Sequence, residues 1–163
     1  QENYDEMSLQ FDTSKTVLTV QSLDVKNADY TIESRKVAIR DGIATESNSG
    51  SASTIKTSVL EGPAFADIDG DGKKDAVAIL RDEPGGTGIF YYASVLLANS
   101  NPLVSTNAIL LGDRIRIKEI SVSGNKISVV IIDRNEGEAM VTPPSLEKTI
   151  YLEVVEGSLV KTP

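Results

Sequence analysis

The chain has 163 residues and 17.5 kDa, carries a net charge of −8 and contains no His, no Cys and no Trp. Those absences exclude a Ser-His-Asp triad, a Cys nucleophile, a disulfide framework, a Cys/His zinc site and any imidazole base. The acidity, with a pI near 4.6, sets the chain against nucleic acid and anionic membrane, which would repel it.

The length fits one domain, large enough to bury most of its unfolded surface without a disulfide. The longest apolar stretch, Ile89 to Ala98, is about half the ~20 residues a spanning helix needs. The chain begins at Gln1 rather than Met and carries no signal peptide, so the expectation is a processed or truncated N-terminus, compatible with removal of a signal or anchor. It has no Asn-x-Ser/Thr glycosylation site. Residues 1–26 form a polar, acidic leader with one alternating strand pattern at Thr16–Val20. Residues 27–163 form the β-rich domain.

Tyr30–Glu33 alternates and Lys36–Arg40 is a second short strand. Asp41-Gly42 then signals a type I′ hairpin turn before Ile43. Asn48–Ser53 is a loop. Phe65-Ala66 reads as extended and leads into an Asp-rich loop. Ala76–Leu80, apolar throughout, is a buried strand. Pro84–Gly88 turns the chain into a second strong strand, Ile89–Leu97, and Asn99–Asn107 is loop, broken at Pro102. Ile115, Ile117, Ile120 and Val122, with Lys118-Glu119 among them, mark a strand. Ser123–Asn125 turns it into Ile127–Ile132, a central strand. Asp133–Glu147 is a long loop, Thr149–Val155 a strand, and Glu156-Gly157 a tight turn before Leu159-Val160. No segment carries a sustained 3.6-residue stripe. The period is two, with frequent turn signals, as in a mainly β single domain: an antiparallel sandwich, a barrel-like fold or a bent sheet.

One segment carries metal chemistry. Asp67-Ile68-Asp69-Gly70-Asp71-Gly72-Lys73-Lys74-Asp75 places carboxylates at loop positions 1, 3, 5 and 9. Gly72 stands at position 6, where the turn needs a residue without Cβ, and Lys73 at position 7 offers its backbone carbonyl. Calcium takes six to eight oxygens at about 2.3–2.6 Å, and this spacing wraps oxygens round one point. Position 12 is Ala78 rather than the bidentate Glu of an EF-hand, and a strand rather than a helix follows. The loop is therefore strand–loop–strand. Its remaining ligands come from water or another segment, with Asp82, Glu83, Asp113 and Asp133 as candidates. Affinity is expected in the extracellular range, about 10⁻⁴–10⁻³ M.

The stretch from Phe65 to Val77 resembles the calcium loop of FG-GAP/VCBS-type repeats. The resemblance implies side-chain ligands at Asp67, Asp69, Asp71 and Asp75 and a carbonyl ligand at Lys73. It covers about fifteen residues and occurs once, so the repeats' propeller, which needs at least four blades, does not carry over. A broader similarity joins Lys26–Ile32, the Asp loop, Gly85–Tyr92, Leu111–Ile115, Asp133-Arg134, Gly137-Glu138 and Pro143–Ser145. In this the chain resembles uncharacterised bacterial secreted or lipoprotein-like proteins, which implies an extracytoplasmic, envelope location.

Other patterns carry less. Gly85–Gly88 lacks the Gly-Lys-Ser/Thr end of a phosphate loop. Ser-x-x-Lys pairs such as Ser53/Lys56, Ser123/Lys126 and Ser145/Lys148 lack a helix that would align them. Asp82/Glu83 and Glu136/Glu138 are candidate hydrolase carboxylates. The Asp133–Glu147 loop, with Arg134, Glu136 and Glu138, is the candidate interaction surface, since loops of that length are often functional. The expectation is a calcium-stabilised β module that binds an envelope protein or glycan and has no catalysis of its own. The alternative is a carboxylate- or calcium-assisted hydrolase of glycans.

Overall fold

The period-two alternation folds as read. The computed structural model describes residues 23–99 and 102–163 as antiparallel strands without helix. The alternating segment Thr16–Val20 lies outside the described residues. The sheets do not close into a barrel. They form three layers: a two-stranded hairpin, a seven-stranded sheet and a four-stranded sheet.

The hairpin is β1 (Asp29–Ile32) and β2 (Arg35–Ala38). The central sheet takes β3 (Ile43–Ser47), β4 (Thr54–Val59), β5 (Ala64–Ala66), β6 (Asp75–Glu83), β7 (Phe90–Leu97), β8 (Val104–Ser105) and β9 (Ile109–Asp113). The third layer is a meander of β10 (Arg116–Ser123), β11 (Lys126–Asp133), β12 (Leu146–Val155) and β13 (Ser158–Thr162).

The long strands β6 and β7 pair along their length, and each carries two short strands in tandem on its outer edge. On β6 these are β4 beside residues 80–83 and β5 beside residues 75–77. On β7 they are β9 beside residues 90–93 and β8 beside residues 96–97.

The continuous apolar run of β6 is explained by burial on both faces. Val77 and Ile79, with Ala93, Val95 and Leu97 of β7, pack against Ile127, Val129, Ile131, Leu152 and Leu159 of the meander. Ala76, Ala78 and Leu80, with Tyr92 and Leu96, pack against Tyr30, Ile32, Val37 and Ile39 of the hairpin. Val25 and Ala28, which precede β1, are buried in this second core.

Turn chemistry sets the joints. Asp41 and Gly42 both have positive φ (51° and 84°), as a type I′ turn requires, and Arg40 bridges Ile43 across it. A β-bulge interrupts the meander: β10 pairs with β11 in shifted register between Ile117 and Glu119. Ile115 lies before β10, just after Arg114 at positive φ, and its side chain is buried between the sheets.

Asn107 ties all three layers. It bridges Thr31 of the hairpin through the backbone. Its side chain accepts from Leu159 N and donates to Leu159 O in β13, both at 2.9 Å. Asn107→Ala strands that N–H and carbonyl, so the expected cost is about 1–2 kcal/mol in urea unfolding with an unchanged m-value. An unchanged midpoint would show that water replaces the amide.

Candidate metal centre

The Asp-rich loop closes the β5–β6 hairpin, whose last pair is Ala66 with Asp75. Ile68 supplies the local logic. Its side chain is 1% exposed and packs into the core between the sheets. With Ile68 turned inward, Asp67 and Asp69 on either side of it are left exposed. Gly70 and Gly72 then take positive φ (82° and 85°). Open space surrounds the Cβ position of Gly72, so left-handed backbone, not crowding, demands glycine there.

Side-chain oxygens of Asp67, Asp69 and Asp71 lie within 4.8 Å of one another. Oxygens on opposite sides of an ion with bonds of 2.3–2.6 Å stand about 4.6–5.2 Å apart, so this spread suits one hard cation. The carboxylates are held by the loop's own amides. Asp67 Oδ1 accepts from Gly70 N at 2.9 Å and its Oδ2 from Gly72 N at 3.0 Å. Asp69 Oδ1 accepts from Asp71 N at 3.1 Å, and Asp71 Oδ1 from Lys73 N at 2.8 Å. Lys73 itself is exposed on the rim.

Asp75 is placed differently. It is 0% exposed and both of its oxygens face backbone donors. Oδ2 accepts from Ile68 N at 2.9 Å and from Asp69 N at 3.3 Å, and Oδ1 accepts from Ala98 N at 2.9 Å. Its carboxylate thus fastens the start of the loop to the end of β7. Asn99, just beyond, donates its Nδ2 to Asp69 Oδ2 at 2.7 Å. Nothing in the sequence marked Asn99, since only the β6–β7 pairing brings it to a loop thirty residues earlier.

Asp82, Glu83, Asp113 and Asp133 do not join the cluster. Asp82 accepts from Thr57 and Arg35, Glu83 pairs with Arg81, Asp113 accepts from Ile89 N, and Asp133 pairs with Lys148. The loop expected over Asp133–Glu147 is shorter, residues 134–145, because Asp133 ends β11 and Leu146 and Glu147 begin β12. Within it Arg134 is committed to the loop's own frame. Its Nε donates to Thr142 O at 2.5 Å and its guanidinium to Arg114 O at 3.1 Å. Glu138 accepts from the amide N and the side chain of Asn135, which holds its carboxyl below the usual range. Glu136 stays exposed, as does Val141 at 88%.

Although Asp69 is exposed, the slight desolvation of its carboxyl in the loop pushes it up from its ordinary value. The backbone hydrogen bond from Asp71 N opposes this, and the charges of Asp75, Asp71 and Asp67 add to it. Crowded like charge of this kind is what a bound cation relieves. Among the described residues no helix is long and apolar enough to cross a membrane. Compared with family models, with curated proteins and with solved structures, the chain matches none.

Proposed function

We propose that this protein is a calcium-stabilised extracytoplasmic β module of the bacterial envelope that works by binding a protein or glycan rather than by catalysis. The observation that carries the reading is the Asp67–Asp69–Asp71 cluster, three exposed carboxylates gathered within 4.8 Å on a strand–loop–strand frame. An all-oxygen site selects a hard cation. Calcium suits it better than magnesium, because an exposed loop leaves room for irregular coordination and bound water, whereas Mg²⁺ demands a near-ideal octahedron. A site of the expected weak affinity fills only where free calcium is millimolar, which is outside the cytoplasm.

Calorimetric titration tests this. At pH 7, Ca²⁺ is expected to bind one site with Kd about 10⁻⁴–10⁻³ M and Mg²⁺ more weakly. The raised Asp69 carboxyl sets the sign of the pH effect. As pH falls into the carboxylate range, Asp69 takes up a proton before an ordinary Asp would, and calcium affinity drops. Without the ion, folding gains from the same protonation, because the folded state holds that proton more tightly than the unfolded chain does. Absence of binding heat at millimolar Ca²⁺, or an affinity flat between pH 7 and 4, would overturn the reading.

A further inference from the structure

The β1–β2 hairpin does not cover the whole face of the central sheet on which it lies. Beyond its Glu33-Ser34 turn a cavity of about 310 Å³ remains, floored by the hairpin-facing side chains of β6, β7 and β9. This is the small end of the ligand-pocket range of about 300–1,000 Å³. Phe90 and Tyr92 lie on the same face of β7, and Leu110, 44% exposed, stands opposite Tyr92 on β9. Together they form an apolar, aromatic floor.

Charged groups close one side. Asp82 is 5% exposed, and Asp82 Oδ1 accepts both from Thr57 Oγ1 at 2.6 Å and from Arg35 at 2.7 Å. Among the described residues no hydrogen bond reaches its Oδ2. The other arm of Arg35 pairs with Glu46. Glu33, at positive φ (56°), accepts from the Tyr92 hydroxyl at 3.3 Å.

We propose that this cavity binds the ring of a neutral sugar at the end of a glycan. The proposal rests on the binding-module reading above and names a ligand class for it. Carboxylates only accept hydrogen bonds and a guanidinium only donates them, yet Asp82, Glu33 and Arg35 line one cavity. A ligand that answers both kinds needs groups that donate and accept at once, as hydroxyls do. The aromatic floor supplies a flat apolar surface for the C–H face of a sugar ring. A buried carboxylate oxygen without a donor is costly, and a ligand hydroxyl would satisfy it. The lining carries two carboxylates against one guanidinium, and the whole chain is at −8, so acidic sugars are disfavoured. The site stands apart from the metal loop. Asp82 and Asp75 are seven residues apart on β6, roughly 23 Å at ~3.3 Å per residue.

The test is amide chemical-shift mapping of the calcium-loaded protein with neutral trisaccharides built from glucose, mannose, galactose or N-acetylglucosamine. At least one is expected to give saturable shifts centred on Glu33, Asp82 and Tyr92. Phe90→Ala and Asp82→Asn should each weaken it about tenfold, the size of one lost aromatic or hydrogen-bonded contact of ~1.4 kcal/mol. Phe90 is only partly buried, so its truncation guards against an Asp82 variant that fails to fold. Asp69→Ala should leave sugar binding unchanged, which separates failure of this site from failure of the calcium reading. The assignment is overturned if no trisaccharide shifts these amides, if the shifts centre on residues 133–147, if binding requires calcium, or if a uronic acid or a simple amine binds better. Cleavage of the bound trisaccharide would uphold the site and overturn the non-catalytic reading.

Discussion

Asp75→Ala is expected to cost the fold about 3–4 kcal/mol, equally with and without calcium. Three backbone N–H groups, those of Ile68, Asp69 and Ala98, donate to this one buried carboxylate. Alanine leaves all three without an acceptor, and each stranded buried donor costs about 1–3 kcal/mol, less where water can enter. For a chain of this size the midpoint of thermal unfolding should fall by roughly 10 °C. Asp75→Asn should fall between: its oxygen can serve one side, but its amide then faces a donor on the other. The comparison that decides the residue's role is the calcium-free one. If Asp75→Ala and the parent protein melt together in chelator and part only in calcium, Asp75 acts as a ligand and not as a fastening.

Calcium at ten times its Kd should raise the melting temperature by about 3–6 °C. One site filled to that extent adds about 1.4 kcal/mol to the folded state, and a domain of this length gains about 2–4 °C per kcal/mol. Asp69→Ala should abolish the calcium increment while changing the calcium-free melting temperature little, because relief of one of three crowded charges offsets the loss of its exposed hydrogen bonds from Asp71 N and Asn99 Nδ2. Equal melting of the parent protein in chelator and in millimolar calcium would remove the stabilising role assigned to the ion.

Much of this fold is visible in the sequence because burial is periodic. The strands built around Ala76–Leu80 and Ile127–Ile132 stand out by their apolar content. What escapes is informative. The strand Thr54–Val59 lacks clean apolar alternation because its buried middle position is Thr57, whose hydroxyl serves Asp82. The strand Ile109–Asp113 is short, ends in Gly-Asp and pairs through an irregular register.

The Asp-rich loop was legible as a cluster of carboxylates at fixed spacing, and three of the four come together. The fourth, Asp75, is indistinguishable from the others by residue type. Its position directly before five apolar residues was the one local hint that it starts a buried strand. The cavity beside Arg35 and Asp82 had no sequence signature at all. It exists because one layer is shorter than the layer beneath it, a property of tertiary packing that no local pattern records.

The central strand pair has a further consequence. Because β6 and β7 give one face to each core, neither outer layer can detach without exposing apolar surface of the pair that also anchors the other. The two ends of β6 are therefore joined thermodynamically, through a single cooperative unfolding equilibrium, rather than by a chain of moving contacts. An ion at one end would protect the sheet face at the other from transient opening, lengthening its lifetime against proteases while leaving its equilibrium geometry as it was.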